Sequence, residues 1–382
     1  MSGKYHLGDQ QEPQHSFKHW FVHQKGGASY IDPPMVNNSQ CVNIKGYVTD
    51  IITDDAISFL NSYVENQDNE EQPFYLSVHY TSPHSPYTGS DGKAASMHPK
   101  QYVDLYEDAL FVSCPQEPAN PYAVHFHSLW CLGDRECLKG YYAAVTAMDV
   151  NIGRIMDTLK THNLDESTLV VFASDHGFNA GHHGFWGKGN AAYPLNMFET
   201  SLRIPMIWRH TGVIKPGVEE SVVQVLDVAP TLLEYAGNLS LPSIANAPGE
   251  SFVDLLLDQT KRNTSKTRTI YGEYGQTRYA RINATRKYVS RLTGHLELYD
   301  LSDDQNETKN LITPSFDTLG KYDAEVMSYE RALRLWFSFY EDPYVSGWTQ
   351  AVTGTGQKRA VYYNYTGPGW PDSPPFNNLI DN

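Results

Sequence analysis

Apolar positions recur at helical spacing in three stretches of this chain. In Asp50 to Glu65 the residues Ala56, Phe59, Leu60 and Tyr63 share one face, which predicts a helix. The longest stripe is Tyr141, Val145, Met148, Ile152, Ile155 and Leu159, stepping by 4, 3, 4, 3 and 4. Asp323 to Glu341 is the third, read as an amphipathic helix lying on a small sheet. Elsewhere the pattern is that of strands. Pro73 to Tyr80 is a β-rich run that stops at Ser82-Pro83-His84-Ser85-Pro86, because two prolines in four residues cannot continue a ladder. Leu169 to Ala173, following a turn at Leu164 to Ser167, is fully apolar, as expected of a strand buried on both faces. It runs into Ser174-Asp175-His176-Gly177. Leu202 to Trp208 predicts another strand, and Asp227 to Ala236 a helix with Leu232 and Leu233 buried and Pro230 in its first turn. Lys287 to Leu292 and His295 to Tyr299 predict an antiparallel hairpin about Thr293-Gly294.

This order implies an α/β fold: a mostly parallel sheet flanked by helices, followed by a smaller α+β subdomain of antiparallel sheet plus helix. The expected boundaries are 1–260 for the α/β domain, 261–345 for the subdomain and 346–382 for a Gly/Pro-rich tail. Ligands of such sheets bind beyond the carboxyl ends of the strands, where His84 and Asp175-His176 fall.

Composition narrows the function. Of 382 residues, 40% are apolar and 19% charged, which is the profile of a globular chain rather than a disordered one. A net charge of −15 argues against nucleic acid as a partner, because phosphate binding needs a basic surface. No apolar stretch approaches the roughly 18 residues of a membrane helix, and Met1 to His6 does not resemble a signal peptide. Cys41, Cys114, Cys131 and Cys137 form no C-x-x-C pair, so a zinc ribbon or thioredoxin-type site is excluded. The last three leave room for one disulfide whose pairing the sequence does not choose. N-x-S/T sequons at Asn37, Asn238, Asn263, Asn283, Asn306 and Asn364 lean toward a glycoprotein of the secretory route.

The densest chemical segment is Asp175 to Asn190, with five glycines and three histidines directly after a predicted strand. Glycines let backbone approach a ligand, and the aromatics among them exclude water. The segment is neither a P-loop, since no G-x-x-x-x-G-K-[ST] spacing occurs, nor an H-E-x-x-H zinc motif. Taken singly, each residue has an ordinary explanation: Asp175 as a turn initiator, His183 and His84 as loop histidines, Lys4, His6 and Lys188 as surface groups.

As a set they read differently. Gly3-Lys4-Tyr5-His6-Leu7-Gly8, Pro83-His84-Ser85-Pro86, Ser174-Asp175-His176-Gly177 and His183-Gly184-Phe185-Trp186-Gly187-Lys188 resemble, in this order, the successive site motifs of the sulfatase family. Tyr142 to Gly153, Arg203 to Ile207, Asp227 to Leu233 and Glu297 to Leu301 with Asn310-Leu311 resemble the connecting elements, so the likeness covers about residues 1 to 315. It implies the alkaline-phosphatase-like architecture and hydrolysis of a sulfate ester, with a sulfated small molecule or glycan as partner. It also implies roles. Asp175 and His176 would be ligands of a divalent cation, usually Ca²⁺, although imidazole is an unusual partner for that ion. Lys188 would hold a sulfate oxygen, and His84 would act as general acid at the leaving oxygen. Lys4 would stabilise the hydrated formylglycine of the family, His6 would take its second hydroxyl proton, and His183 would line the substrate pocket.

One element of the resemblance is missing. The formylglycine arises from Cys or Ser in a C/S-x-P-x-R motif, and none occurs in this sequence. The family's first strand, with its paired aspartates, lies upstream of the Gly-Lys motif at which this sequence begins. The chain is therefore expected to be an N-terminally truncated form, inactive alone, whose longer parent is secreted or lysosomal. The alternatives are a non-catalytic module that holds sulfated glycans and a phosphate-handling relative, which would need further metal-binding positions downstream of Asp175.

Overall fold

The computed structural model describes residues 1–7, 10–14, 16–27, 29–66, 72–124, 130–237, 248–261, 268–292, 294–312 and 320–340. Outside them lie the expected tail, Gly8 of the Gly-Lys motif, Thr293 of the hairpin turn, and the sequons at Asn238, Asn263 and Asn364. The chain divides into two compact units: Met1–Cys114 with Gly133–Thr168, and Pro115–Leu132 with the residues from Leu169 on.

In the first unit a five-stranded sheet has the order β4-β3-β2-β1-β5 among the described residues. Its strands are β1 (Ser2–Gly3), β2 (Phe21–His23), β3 (Pro34–Asn37), β4 (Gln40–Asn43) and β5 (Val78–His79). β1 lies between β2 and β5 and runs parallel to both, so all three release the chain at the same edge. β3 and β4 turn back antiparallel, making the sheet mixed. Of the predicted run from Pro73, only Val78–His79 is paired as strand. The helix α1 (Val48–Glu65) presents Val48, Ile51, Ile52, Ala56 and Leu60 as its buried apolar face. The first three pack on Phe21 and Met35 of the sheet and on Ala144 and Ala147 of the next helix. Each fully buried side chain of this size contributes about 1.5–3 kcal/mol relative to exposure.

That next helix, α2 (Arg135–Thr161), is capped by Asp134, whose carboxylate accepts from the N–H groups of Glu136 (2.7 Å) and Cys137 (3.1 Å). Its deepest face is not the predicted large-residue stripe. Gly140, Ala143, Ala144, Ala147 and Asn151 are buried, whereas of the stripe only Leu159 is buried and the others are half-buried. Small residues let the helix approach its neighbours closely. A Cβ on Gly140 would lie 2.0 Å from the carbonyl oxygen of Tyr87.

In the second unit β6 (Val170–Ala173) pairs antiparallel with β9 (Met206–Arg209), while β7 (Asn179–Ala180) and β8 (Trp186–Gly187) form a short hairpin. β6 is less covered than its sequence predicts: Val170, Val171 and Phe172 are half-buried and Ala173 is exposed. Among the described residues it is paired on one side only, by β9. In α3 (Val228–Tyr235) Leu232 and Leu233 are likewise half-buried, and Thr231 is the buried position. The predicted hairpin is present as β12 (Arg286–Arg291) and β13 (Glu297–Asp300), within a four-stranded antiparallel sheet completed by β10 (Thr269–Tyr274) and β11 (Thr277–Ile282). The helix α4 (Asp323–Tyr340) covers that sheet, with Leu333 and Phe337 on Ala280, Tyr288 and Leu298. Cys131 and Cys137 are disulfide-bonded, and Cys41 and Cys114 are not.

Candidate active site

The first group of predicted site residues sits at the carboxyl edge of the parallel strands. Gly3 adopts φ +111°, and a Cβ there would lie 2.0 Å from the His79 carbonyl oxygen, so β1 can seat against β5 only with glycine at this position. The following N–H, that of Lys4, donates to the same oxygen at 2.7 Å. Beside Lys4, at the end of β2, stands His23, which is fully buried with Nε2 2.7 Å from the Thr81 hydroxyl. Burial, with the Lys4 charge adding to it, lowers the His23 pKa to about 4, so this imidazole is neutral at physiological pH.

Thr81 opens the loop that bears His84: the His84 N–H donates to the Thr81 carbonyl (2.8 Å), and the Tyr30 hydroxyl donates to the His84 carbonyl (2.7 Å). The His84 side chain is exposed, and its Nδ1 lies 2.8 Å from the Ser85 carbonyl. A carbonyl can only accept, so Nδ1 carries hydrogen and Nε2 is the nitrogen that exchanges a proton. His6 is exposed, with its ring against Gly26, where a Cβ would fall 2.0 Å from Cδ2.

The second group lies in the loop after β6. Lys188 Nζ is 2.7 Å from His176 Nε2, and His176 Nδ1 is 2.8 Å from the Gly177 carbonyl. The same rule fixes the ring: Nδ1 donates to Gly177, and the Nε2 lone pair accepts from the ammonium. Asp175 Oδ2 stands 3.5 Å from that nitrogen, and its side chain is 79% exposed against 34% for His176. Ser174 donates its hydroxyl to the His176 carbonyl at 2.9 Å and holds the turn. Thus Asp175, His176 and Lys188, separated by up to 13 positions, lie together in this loop.

His183 takes a different position in the same loop. At φ 56° it stacks on Phe198 with ring centroids 3.6 Å apart and planes 6° apart. Burial first, then the neighbouring His182 and Lys287, lowers its pKa to about 4. Its imidazole thus packs face to face on an aromatic side chain.

The donors present do not by themselves suit calcium. That ion takes six to eight oxygens, and here one carboxylate and one imidazole converge, the imidazole's lone pair facing Lys188. No group of three or more His, Cys, Asp or Glu that could hold an ion occurs among the described residues. Sequence reasoning did not single out His23, Thr81, Asn179 or Asn196. A lone histidine closing a short strand and an asparagine in a loop carry no periodic or motif signal, and only tertiary contacts show them beside the site.

The sulfatase family model matches residues 1–238, more than half of the chain, so the chain belongs to the sulfatase family. A second model, N-sulphoglucosamine sulphohydrolase, C-terminal, matches residues 181–321. Choline-sulfatase of Rhizobium meliloti is 29% identical over 284 residues, 68% of this chain and 51% of that protein. N-acetylglucosamine-6-O-sulfatase of Bacteroides thetaiotaomicron is 26% identical over 387 residues, covering 81% of this chain and 66% of the relative. The chain therefore spans between about half and two thirds of the length of these relatives. A solved structure of a protein in complex with its substrate D-glucosamine-2-N,6-O-disulfate superposes with a TM-score of 0.69 at 24% identity, covering 90% of this chain and 80% of that one. That likeness is one of fold.

Proposed function

We propose that the protein acts on sulfate esters as a sulfuric ester hydrolase, with a sulfated carbohydrate as substrate. The observation that carries this reading is the Lys188–His176–Asp175 constellation, assembled from two family motifs at 2.7 and 3.5 Å. A sulfuryl group keeps negative charge on its oxygens throughout transfer, so a positioned ammonium stabilises it most where water is scarce. The family resemblance gives Lys188 the role of holding a sulfate oxygen and His84 that of delivering a proton to the departing alcohol. It gives Lys4 the stabilisation of negative charge, His6 the role of proton carrier and His183 a place lining the substrate pocket. Asp175 and His176 are the two donors the chain offers to a divalent cation, which in the family is usually calcium. Two donors do not make that site, and no step is derived through it. The same holds for formylglycine, because the sequence has no C/S-x-P-x-R. A sugar is favoured as the alcohol because the relative matched over the larger share of the chain is named for one.

The missing nucleophile motif favours one second reading, a module that binds sulfated glycans without cleaving them. Calorimetric titration with inorganic sulfate, at ionic strength held constant with chloride, tests what both readings share. Sulfate should bind in preference to chloride, and Lys188→Met should weaken it about tenfold, the worth of one charge-assisted hydrogen bond. Equal binding of the two anions, or no effect of Lys188→Met, refutes both. Turnover of an aryl sulfate then separates them, since only the hydrolase releases free sulfate.

A further inference from the structure

Beneath the His176–Lys188 pair lies a group of buried polar side chains that none of the site motifs contains. Asn179, Asn196 and Ser201 are 0%, 4% and 2% exposed. Buried amides and hydroxyls are costly unless each donor meets an acceptor. Here they do. The Asn196 amide donates to the carbonyl oxygens of Lys188 (3.0 Å) and Gly189 (3.3 Å). Its oxygen accepts from the Ser201 hydroxyl (2.6 Å), and Ser201 accepts in turn from the Asn179 amide (2.8 Å). The main chain closes the circuit at both ends: the Asn196 N–H donates to the Gly189 carbonyl (3.1 Å), and the Gly177 N–H to the Ser201 carbonyl (2.9 Å). Gly177 is bare of Cβ where the strands of this circuit touch, since a Cβ there would lie 2.2 Å from the Thr200 carbonyl.

We infer that Asn196 is a positioning residue for Lys188, with Ser201 and Asn179 as its supports. One face of the circuit grips the backbone of Lys188 and Gly189, and the other grips the residue after His176. The two segments are thereby locked in the register that sets Lys188 Nζ 2.7 Å from His176 Nε2. Without the grip, Lys188 sits in a glycine-flanked loop and its long side chain samples many rotamers, losing the preorganisation on which anion stabilisation depends. The inference rests on the sulfate reading above for its ligand, and on the hydrogen-bond circuit alone for its geometry.

The test uses the 382-residue chain. Asn196→Asp keeps the shape and deletes the two donors. Ser201→Ala removes one support, and Ser201→Thr restores the hydroxyl. Asn196→Asp should weaken binding of inorganic sulfate about tenfold, and by less than about twofold once Lys188 is already methionine. Ser201→Ala should weaken it about threefold and Ser201→Thr should recover it. Equal losses from Asn196→Asp in both backgrounds, or no recovery by threonine, overturn the inference. If Asn196→Asp fails to fold, the serine pair decides.

A second readout does not need sulfate. The ¹⁵N resonance of His176 Nε2, identified by its disappearance in His176→Gln, should move in Lys188→Met, and in the same direction in Asn196→Asp and Ser201→Ala. An unmoved resonance in the last two overturns the positioning role. If the wild-type protein binds sulfate no better than chloride, the functional reading fails, and this resonance alone decides the present one.

Discussion

Replacing Lys287 by methionine retains the aliphatic stem and deletes an ammonium whose side chain is 0% exposed. In β12 this group lies 2.6 Å from Glu307 Oε1 and 3.2 Å from Glu199 Oε1. Glu199 keeps a second cation, Arg281, at 3.3 Å, but among the described residues the Glu307 carboxylate, 1% exposed, is left with the Glu199 main-chain N–H. Orphaning one partner of a buried pair costs about 3–5 kcal/mol, and the retained N–H argues for the lower end, about 3 kcal/mol. For a unit of this size that is a fall of about 6–12 °C in thermal midpoint.

The penalty has a sign with pH. Burial already raises the Glu307 pKa above its ordinary 4.5, against the pull of Lys287, and removing the lysine raises it further. A raised carboxyl is no burden below about pH 4.5, where it is protonated folded or unfolded, and it erodes stability as pH climbs through the folded-state value. Lys287→Met should therefore be mild near pH 4.5 and grow more costly as pH rises toward neutrality. Urea denaturation of wild type, Lys287→Met, Glu307→Gln and the double variant at both pH values measures this. The double variant should be less destabilised than the sum of the single ones by at least about 1 kcal/mol. Additive losses, or a penalty that does not change with pH, would refute the claim that the pair is a desolvated couple rather than two separate packing contacts.

Other consequences can be checked with the same assay. Gly140→Ala gains about 1 kcal/mol of helix propensity, yet its Cβ would meet the Tyr87 carbonyl at 2.0 Å; the clash should win, for a net loss of about 2 kcal/mol. Gly153→Ala, in the same helix with nothing within 4 Å, should instead stabilise by about 0.5–1 kcal/mol, and matching signs for the two would show the close approach to be wrong. Asp134→Ala removes the side-chain cap of α2 and should cost about 1 kcal/mol. Burial lowers His98, as well as His23, to about 4 from 6.5. The stability that neutral histidines support is present above about pH 6.5 and lost as pH falls toward 4, about 3 kcal/mol for each ring. His98→Gln should flatten the acid limb of the stability curve, and an unchanged limb would contradict its burial as the neutral form.

The strongly periodic elements were legible from residue spacing because one side of each is committed to a core. The α1 helix, the long α2 and the β12–β13 hairpin all appear near their predicted positions. The motif residues were legible too, but the approach of Lys188 to His176 is held by Asn196 and Ser201, which no motif contains. Burial was not. The apolar run Val170–Ala173 has the composition of an interior strand, but how far it is covered depends on which neighbours pair with it. In α2 the large residues drew the eye, while the deepest contacts went to glycine and alanines, because closeness between elements is a property of both surfaces.

What the amino-acid order determined alone is therefore the strongly periodic elements, the α/β class and the chemical types gathered in the family's motifs. Tertiary structure decided the rest: that His23 is buried and neutral beside Lys4, that His183 stacks on Phe198, and that Asn196 reaches the backbone of Lys188. Spacing encodes which face of an element seeks cover, through the fixed geometry of the backbone. Which polar groups lose their water, and so acquire shifted protonation or obligatory partners, is settled only when segments distant in sequence exclude solvent together.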